Sequence, residues 1–310
     1  MTELEVLSVN VSEKKGTIKK PVHSIDVGKS GIVNDAHAGD WNRQVSLLGR
    51  ESINRFSKEA GRTISDGEFA ENITTKGLLL SNARPLDKFI SGKLILEVTQ
   101  IGKECHGTSC AIFREVGNCV MPVEGIFCRV IQPGNLKPGD KLVYVPKIYQ
   151  IRIITISDRA SSGIYEDRSG PLADRLITGF FKDQQLQLEV IKKIVPDDPS
   201  RIQEMLIDAC KKNVDIIVTT GGTGVGPKDF TPEVIGKFID KEIPGIMDYV
   251  RLKYGAEKPK ALLSRSIAGV KDNTLIYALP GSIHAVREYL EEITKTLLHT
   301  IYMLHRLDLH

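Results

Sequence analysis

Residues Thr219 to Glu233 read Thr-Thr-Gly-Gly-Thr-Gly-Val-Gly-Pro-Lys-Asp-Phe-Thr-Pro-Glu. Their types and order suit a phosphorylated ligand. Glycines let a backbone approach phosphate oxygens closely, and the exposed N–H groups donate to them. Asp229 adds a carboxylate, the ligand type that Mg²⁺ takes when it bridges phosphates, and Lys228 adds a positive charge. The apolar run Val214 to Val218 precedes this loop, and Thr231-Pro232 opens a helix after it. The loop is therefore expected between a strand and a helix.

Three further loops share this texture: Ser157 to Gly163, Pro196-Asp197-Asp198, and Pro280-Gly281-Ser282. Each follows a run expected to be a strand: Ile151 to Ile156, Leu188 to Val195, and Leu275 to Leu279. Helices are expected over Ser169 to Phe181, with Leu172, Leu176 and Phe180 along one face, and over Arg201 to Lys211 and Ala285 to Leu304. Strands alternating with helices imply a wound, mainly parallel sheet, whose ligands collect at the carboxyl ends of the strands. One Gly-Gly-Thr-Gly is an ordinary turn; four such loops on one sheet edge make a site. Asp198 before Pro199 reads as a helix cap, and Thr231 before Pro232 repeats that grammar. Asp158 and Arg159 read either as a pair within their turn or as ligand contacts. His284 reads as surface packing, and Cys210 as a buried thiol on the apolar side of its helix.

Before about Val145 the texture differs. Short β-like runs, Leu94 to Val98, Gly125 to Ile131 and Lys141 to Val145, are punctuated by turns such as Pro138-Gly139-Asp140. They suggest a barrel or folded sheet, with one helix expected near Ser46 to Glu59. Two thiols and an imidazole stand close together at Cys105, His106 and Cys110. Cys119 and Cys128 are badly spaced to complete a zinc set with them, and the pair reads otherwise as strand-end cysteines.

The whole chain has 310 residues, 26% charged and 41% hydrophobic, with a net charge of +3. That length accommodates two domains. The charge is too small to argue for nucleic acid or a membrane surface. No apolar run approaches the ~20 residues that span a bilayer. Five cysteines without a recognisable export signal read as reduced, cytoplasmic thiols.

The second half is identified by resemblance. Ile156-Ser157-Asp158-Arg159, Val195-Pro196-Asp197, Gly221 to Gly224, Asp229 to Glu233 and Leu279 to Ser282 together resemble the MogA/MoaB molybdopterin adenylyltransferases. The resemblance implies a three-layer α/β domain over 147–310. It also implies adenylyl transfer from ATP to molybdopterin with Mg²⁺, release of pyrophosphate, and a homotrimer. It makes Asp197 and Asp229 catalytic, with Asp229 holding Mg²⁺. It assigns Ser157, Gly221, Gly222, Thr223, Gly224, Lys228, Pro280, Gly281 and Ser282 to nucleotide and pterin binding. Two departures stand out: Lys228 replaces a frequent arginine, and Ser282-Ile283 replaces the usual Asn-Pro or Ser-Pro ending.

The first half, 1–146, resembles a MOSC domain, a mainly-β, barrel-like module linked to the molybdenum cofactor and to sulfur handling. Asp35 to Asp40, Gly67 to Thr75, the cysteine segment and Gly134 to Asp140 carry the likeness. It implies that Cys110, with Cys105 as competitor, binds molybdenum or tungsten or carries sulfur, and that His37 and Arg43 contact the cofactor. The expected partners are molybdopterin, ATP and other enzymes of the same pathway. The competing readings are a non-catalytic carrier, a molybdenum-insertion enzyme, and a reductase of N-hydroxylated compounds.

Overall fold

The computed structural model describes residues 2–103 and 119–307. Two compact units divide the chain near Lys147 and Ile148.

The first unit is built on β1 (Thr2–Val11), β2 (Lys20–Val22), β3 (Ile25–Gly28), β4 (Gly31–Ile32), β5 (Val45–Gly49), β6 (Ile73–Lys76), β7 (Lys88–Ser91), β8 (Leu94–Ile101), β9 (Ile126–Gln132), β10 (Gly134–Leu136) and β11 (Lys141–Val145). Seven of these close a barrel in the order β11-β7-β8-β9-β5-β6-β1, with β1 pairing back onto β11. Strand β2 extends the ring beside β1, and β10-β3-β4 form a small second sheet. Alternation marks the barrel face on β1, where Leu4 and Val6 point inward between exposed Glu3 and Glu5; Leu94, Leu96 and Val98 of β8 join the same core. The helix expected from Ser46 begins later. Val45–Gly49 is a fully buried strand, and helix α1 runs Arg50–Ala60. Val45, Leu47 and Leu48 lie between the paired strands β6 and β9, and so short an apolar stretch cannot be told from a helix by periodicity alone. A short helix α2 (Met121–Glu124) precedes β9.

The Gly67 to Thr75 motif knots this barrel. Gly67 has φ +86°, and a Cβ there would lie 2.2 Å from the Lys19 carbonyl oxygen. The Gly67 N–H and the Thr74 hydroxyl both donate to Glu71 Oε1, at 2.6 and 3.0 Å. Asn72 Oδ1 accepts from the Ser46 amide at 3.1 Å, and its Nδ2 donates to the Asn10 carbonyl at 3.2 Å. Beside this knot, Lys19 and Asp35 form an ion pair at 2.5 Å with both side chains 1% exposed. Burial pulls the Lys19 ammonium below its ordinary value, against the upward pull of Asp35. Burial alone would raise the Asp35 carboxyl, but hydrogen bonds from His37 and Lys19 hold it well below the carboxylate range. Asp35→Asn leaves a buried ammonium without its counter-charge. The substitution is expected to cost about 3–5 kcal/mol, read as a lower urea midpoint for the barrel's transition. An unchanged midpoint would contradict this account.

The second unit carries one six-stranded sheet. Its strands are β12 (Ile148–Ile156), β13 (Gln187–Val195), β14 (Ile216–Thr220), β15 (Lys241–Glu242), β16 (Ile267–Lys271) and β17 (Thr274–Leu279), in the order β13-β12-β14-β17-β16-β15. The first four are parallel; β16 and β15 run antiparallel at the edge. The helices are α3 (Asp158–Ser161), α4 (Ser169–Asp183), α5 (Pro199–Lys211), α6 (Thr231–Phe238), α7 (Pro244–Gly255) and α8 (Ile283–Leu304). Ile154, Ile156, Ile217 and Ile276 pack with Ile202, Leu206 and Ile235 of α5 and α6. Helices α4 and α8 pack on each other, and α7 packs on α8. The buried stripe of α4 is Leu172, Ala173, Ile177 and Phe181 rather than Leu176 and Phe180. Phe181 wins the inward place because it stacks edge-on against Tyr149 of β12, with centroids 5.1 Å apart. Cys210 is half-buried, not sealed, at the margin of the α5 packing.

Candidate active site

Because β12, β13, β14 and β17 are parallel, the four loops that follow them open on one edge of the sheet. Asp198 caps α5, accepting from the Arg201 amide at 2.9 Å, as its proline-led sequence predicts. Thr231 does not cap α6. Phe230 holds that position with no side-chain bond, and Thr231 is the first helical residue, fully buried. Its hydroxyl donates instead to the Gly221 carbonyl at 3.0 Å, while its amide donates to the Gly222 carbonyl at 3.1 Å. Thr231 therefore pins the glycine loop to the helix that follows it.

The loop is shaped by steric necessity. Gly221 (φ +106°) and Gly222 (φ +63°) adopt left-handed backbone. A Cβ on Gly221 would lie 2.2 Å from the Ile156 carbonyl oxygen, and one on Gly222 would lie 2.3 Å from Thr231 Oγ1. Among the described residues no protein acceptor takes the N–H of Gly222, Thr223, Gly224 or Val225. Four successive amides are thus left for an anion.

Both acids reach this loop. Asp229 Oδ2 accepts from the Gly226 amide at 2.7 Å and lies 2.7 Å from where a Gly224 Cβ would stand. Asp197 Oδ1 lies 3.6 Å from the corresponding point on Gly222. Asp197 and Asp158 exchange bonds across two loops: the Asp158 amide donates to Asp197 Oδ2 at 2.7 Å, and the Asp197 amide to Asp158 Oδ1 at 3.1 Å. Asp158 pairs with Lys228 at 2.6 Å, not with Arg159, whose guanidinium lies over the Tyr165 ring. That pairing lowers the Asp158 carboxyl and raises the Lys228 ammonium. Ser157 caps α3 through the Ala160 amide, and Ser282 caps α8 through the Ala285 amide, each at 3.2 Å.

Two cavities meet at the Gly281-Ser282 turn. The larger, about 770 Å³, is lined by Gly221 to Gly224, Asp229 and Pro280 to Ser282 at one end. Val250, Tyr254, Lys258 and Tyr289 line it at the other. The smaller, about 550 Å³, is lined by Ser157, Arg159, Tyr165, Asp167, Ser169 and Thr220. Gly281, Ser282 and His284 border both, so His284 lies at the site rather than on a remote surface. Among the described residues the buried Tyr289 hydroxyl has no hydrogen-bond partner.

Sequence reasoning missed the wall of the larger cavity. Helix α7 and the 3-10 turn Pro259–Leu263 were not expected, although Pro244 at the helix start and the buried pair Met247 and Val250 carry a helical signal. It also missed Arg265, which bonds the loop from another part of the chain.

In the barrel unit, His37 and Arg43 lie in one loop around Trp41. The Trp41 indole donates to the His37 carbonyl at 2.8 Å, and Arg43 stacks on its ring 5.0 Å from the centroid. His37 Nδ1 lies 3.2 Å from Lys19 Nζ, so the buried ion pair reaches this loop. Cys105, His106 and Cys110 lie outside the described residues. Cys128 is sealed in the barrel core, where burial pushes its thiol well above the ordinary value, which opposes a zinc thiolate there. Among the described residues no helix is long and apolar enough to cross a membrane.

A parallel sheet whose strand ends gather acids and free amides beside a cavity defines a wound α/β protein of the kind that binds its ligands at the strand ends. The comparisons with known proteins narrow that class. Residues 152–300 match the family described as a probable molybdopterin binding domain, and residues 34–143 match the MOSC domain. The molybdopterin adenylyltransferase of Helicobacter pylori (strain ATCC 700392 / 26695) is 38% identical over 144 residues, 46% of this chain and 80% of that protein. Gephyrin of Dictyostelium discoideum is 37% identical over 161 residues, 50% of this chain but only 22% of gephyrin's length. The solved molybdopterin biosynthesis enzyme MoaB of Thermus thermophilus, 34% identical, covers 51% of this chain and 96% of that one at a TM-score of 0.46. The chain belongs to the molybdopterin adenylyltransferase family through its second half and carries a MOSC domain in its first.

Proposed function

We propose that the second unit transfers an adenylyl group from ATP to the terminal phosphate of molybdopterin, within molybdenum cofactor biosynthesis. The supporting observation is the convergence of Asp197 and Asp229 on the glycine loop with its free amides; Gly221 to Gly224 and Asp229 line the larger cavity, which the smaller adjoins at Gly281 and Ser282. Two large reactants need two spaces that meet at the reacting phosphates. An oxygen of the pterin phosphate attacks the α-phosphorus of ATP. A new P–O bond forms, the bond to the β-phosphate bridging oxygen breaks, and pyrophosphate leaves. Both reactants are anions, so the amides of Gly222 to Val225 neutralise developing charge and the cavity walls hold the partners in line. Asp229 and Asp197 each keep one carboxylate oxygen clear of the backbone bonds described above. They fit Mg²⁺, which takes one or two carboxylates and completes its shell with phosphate oxygens. When bound, the ion supplies charge neutralisation on the leaving pyrophosphate. The same reading makes the second unit a three-layer domain spanning 147–310 and the protein a homotrimer.

The decisive measurement incubates the protein with molybdopterin, ATP and Mg²⁺. The expected result is an AMP adduct of the pterin by mass spectrometry, with pyrophosphate released in step. Binding of both reactants without adduct would point to a carrier. Turnover driven by molybdate on an already adenylylated pterin would point to metal insertion.

For the first unit we propose that Cys110, or Cys105 in its place, holds the cofactor or its sulfur, and that His37 and Arg43 contact the cofactor. A thiolate suits a soft metal. Cys110→Ser is expected to lower the molybdenum or tungsten retained on the purified protein while pyrophosphate release continues. Full retention would remove the assignment.

A further inference from the structure

Arg265 comes to the glycine loop from the segment before β16. Its amide donates to the Thr223 carbonyl at 2.9 Å. Its Nε donates to the Gly224 carbonyl at 2.7 Å, and Nη2 to the Asp229 carbonyl at 2.6 Å. Its Nη1 pairs with the Glu233 carboxylate in the first turn of α6. One residue therefore grips the loop at its middle, its end and the helix beyond.

The direction of that grip matters. In a trans peptide, the C=O of one residue and the N–H of the next point opposite ways, and the described residues contain no cis bond. Holding the Thr223 and Gly224 carbonyls on Arg265 turns the Gly224 and Val225 amides away from it. Those are two of the four amides that no group among the described residues uses. Holding the Asp229 carbonyl fixes the backbone that carries the carboxylate. We infer that Arg265 is a positioning residue: from behind the loop it presets the amides and Asp229 for an anionic phosphate before the ligand arrives. The planar guanidinium fork reaches two carbonyls and a carboxylate at once, which an ammonium cannot do. Preset donors stabilise charge without reorganising during the reaction.

This inference rests on the reading of the glycine loop as a phosphate cradle, and its test does not need the full reaction. Binding of inorganic pyrophosphate with Mg²⁺ is measured by titration calorimetry on the full chain for wild type, Arg265→Met and Arg265→Lys. The folded Met variant is expected to bind pyrophosphate at least about tenfold more weakly and to turn over about 100-fold more slowly. Added guanidinium ion is expected to restore part of both. A residue serving stability alone would lower the melting temperature and leave the folded protein's pyrophosphate affinity intact, which would overturn the proposal. If Arg265→Met does not fold, Arg265→Lys carries the test: weaker pyrophosphate binding supports the role, and wild-type affinity ends it. Wild type that binds no pyrophosphate also ends it. Wild type that binds pyrophosphate but forms no AMP adduct counts against the adenylyl-transfer reading alone.

Discussion

Asp229→Asn is expected to leave the fold intact and to reduce adduct formation at least about 100-fold, the scale on which preorganised electrostatic groups act. Asparagine has the same shape, and its amide oxygen can still accept the Gly226 N–H that aspartate takes at 2.7 Å. The loop turn and the Arg265 bond to the 229 carbonyl therefore survive. What disappears is a negative charge beside four amides, and with it the proposed site for a Mg²⁺ that would neutralise the two anionic reactants. Rates measured against Mg²⁺ concentration check the assignment. The variant is expected to show lost turnover with an unchanged melting curve, and wild-type rates would refute the role given to Asp229.

Gly222→Ala is the second large effect, and it acts by shape. The residue stands at φ +63°, where a side chain costs about 1–2 kcal/mol. The new methyl would also meet Thr231 Oγ1 at 2.3 Å. Thr231 is buried and holds the loop through Gly221, so it cannot yield without releasing that bond. Melting temperature and turnover are both expected to fall, turnover by about 100-fold because the amides lose their aim. The double variant Gly222→Ala with Thr231→Ala removes the collision but not the backbone cost. It is expected to recover part of the stability lost by the single change. No recovery would show that the clash is not the cause.

Much of the site was legible along the chain. Apolar runs followed by glycine, serine or aspartate marked β12, β13, β14 and β17, and their parallel order brings four loops to one edge. Asp198 capped its helix as Asp-Pro predicts. Thr231 shows where local grammar stops: the same Thr-Pro pattern serves a loop carbonyl because Phe230 takes the cap position. Asp158 likewise chose Lys228, a residue 70 positions away, over its neighbour Arg159.

From residue types alone came the division into a β-rich and an α/β half and the glycine loop with Asp229, because alternation, chain-breaking glycines and a carboxylate are local properties; the pairing of Asp197 with Asp229 came from the family resemblance. The antiparallel edge, the α7 wall of the larger cavity and the reach of Arg265 to a loop 41 residues earlier came only from the folded chain. The reason is physical. Such contacts depend on where the chain returns after packing, and no short-range pattern records which carbonyl a distant guanidinium will find.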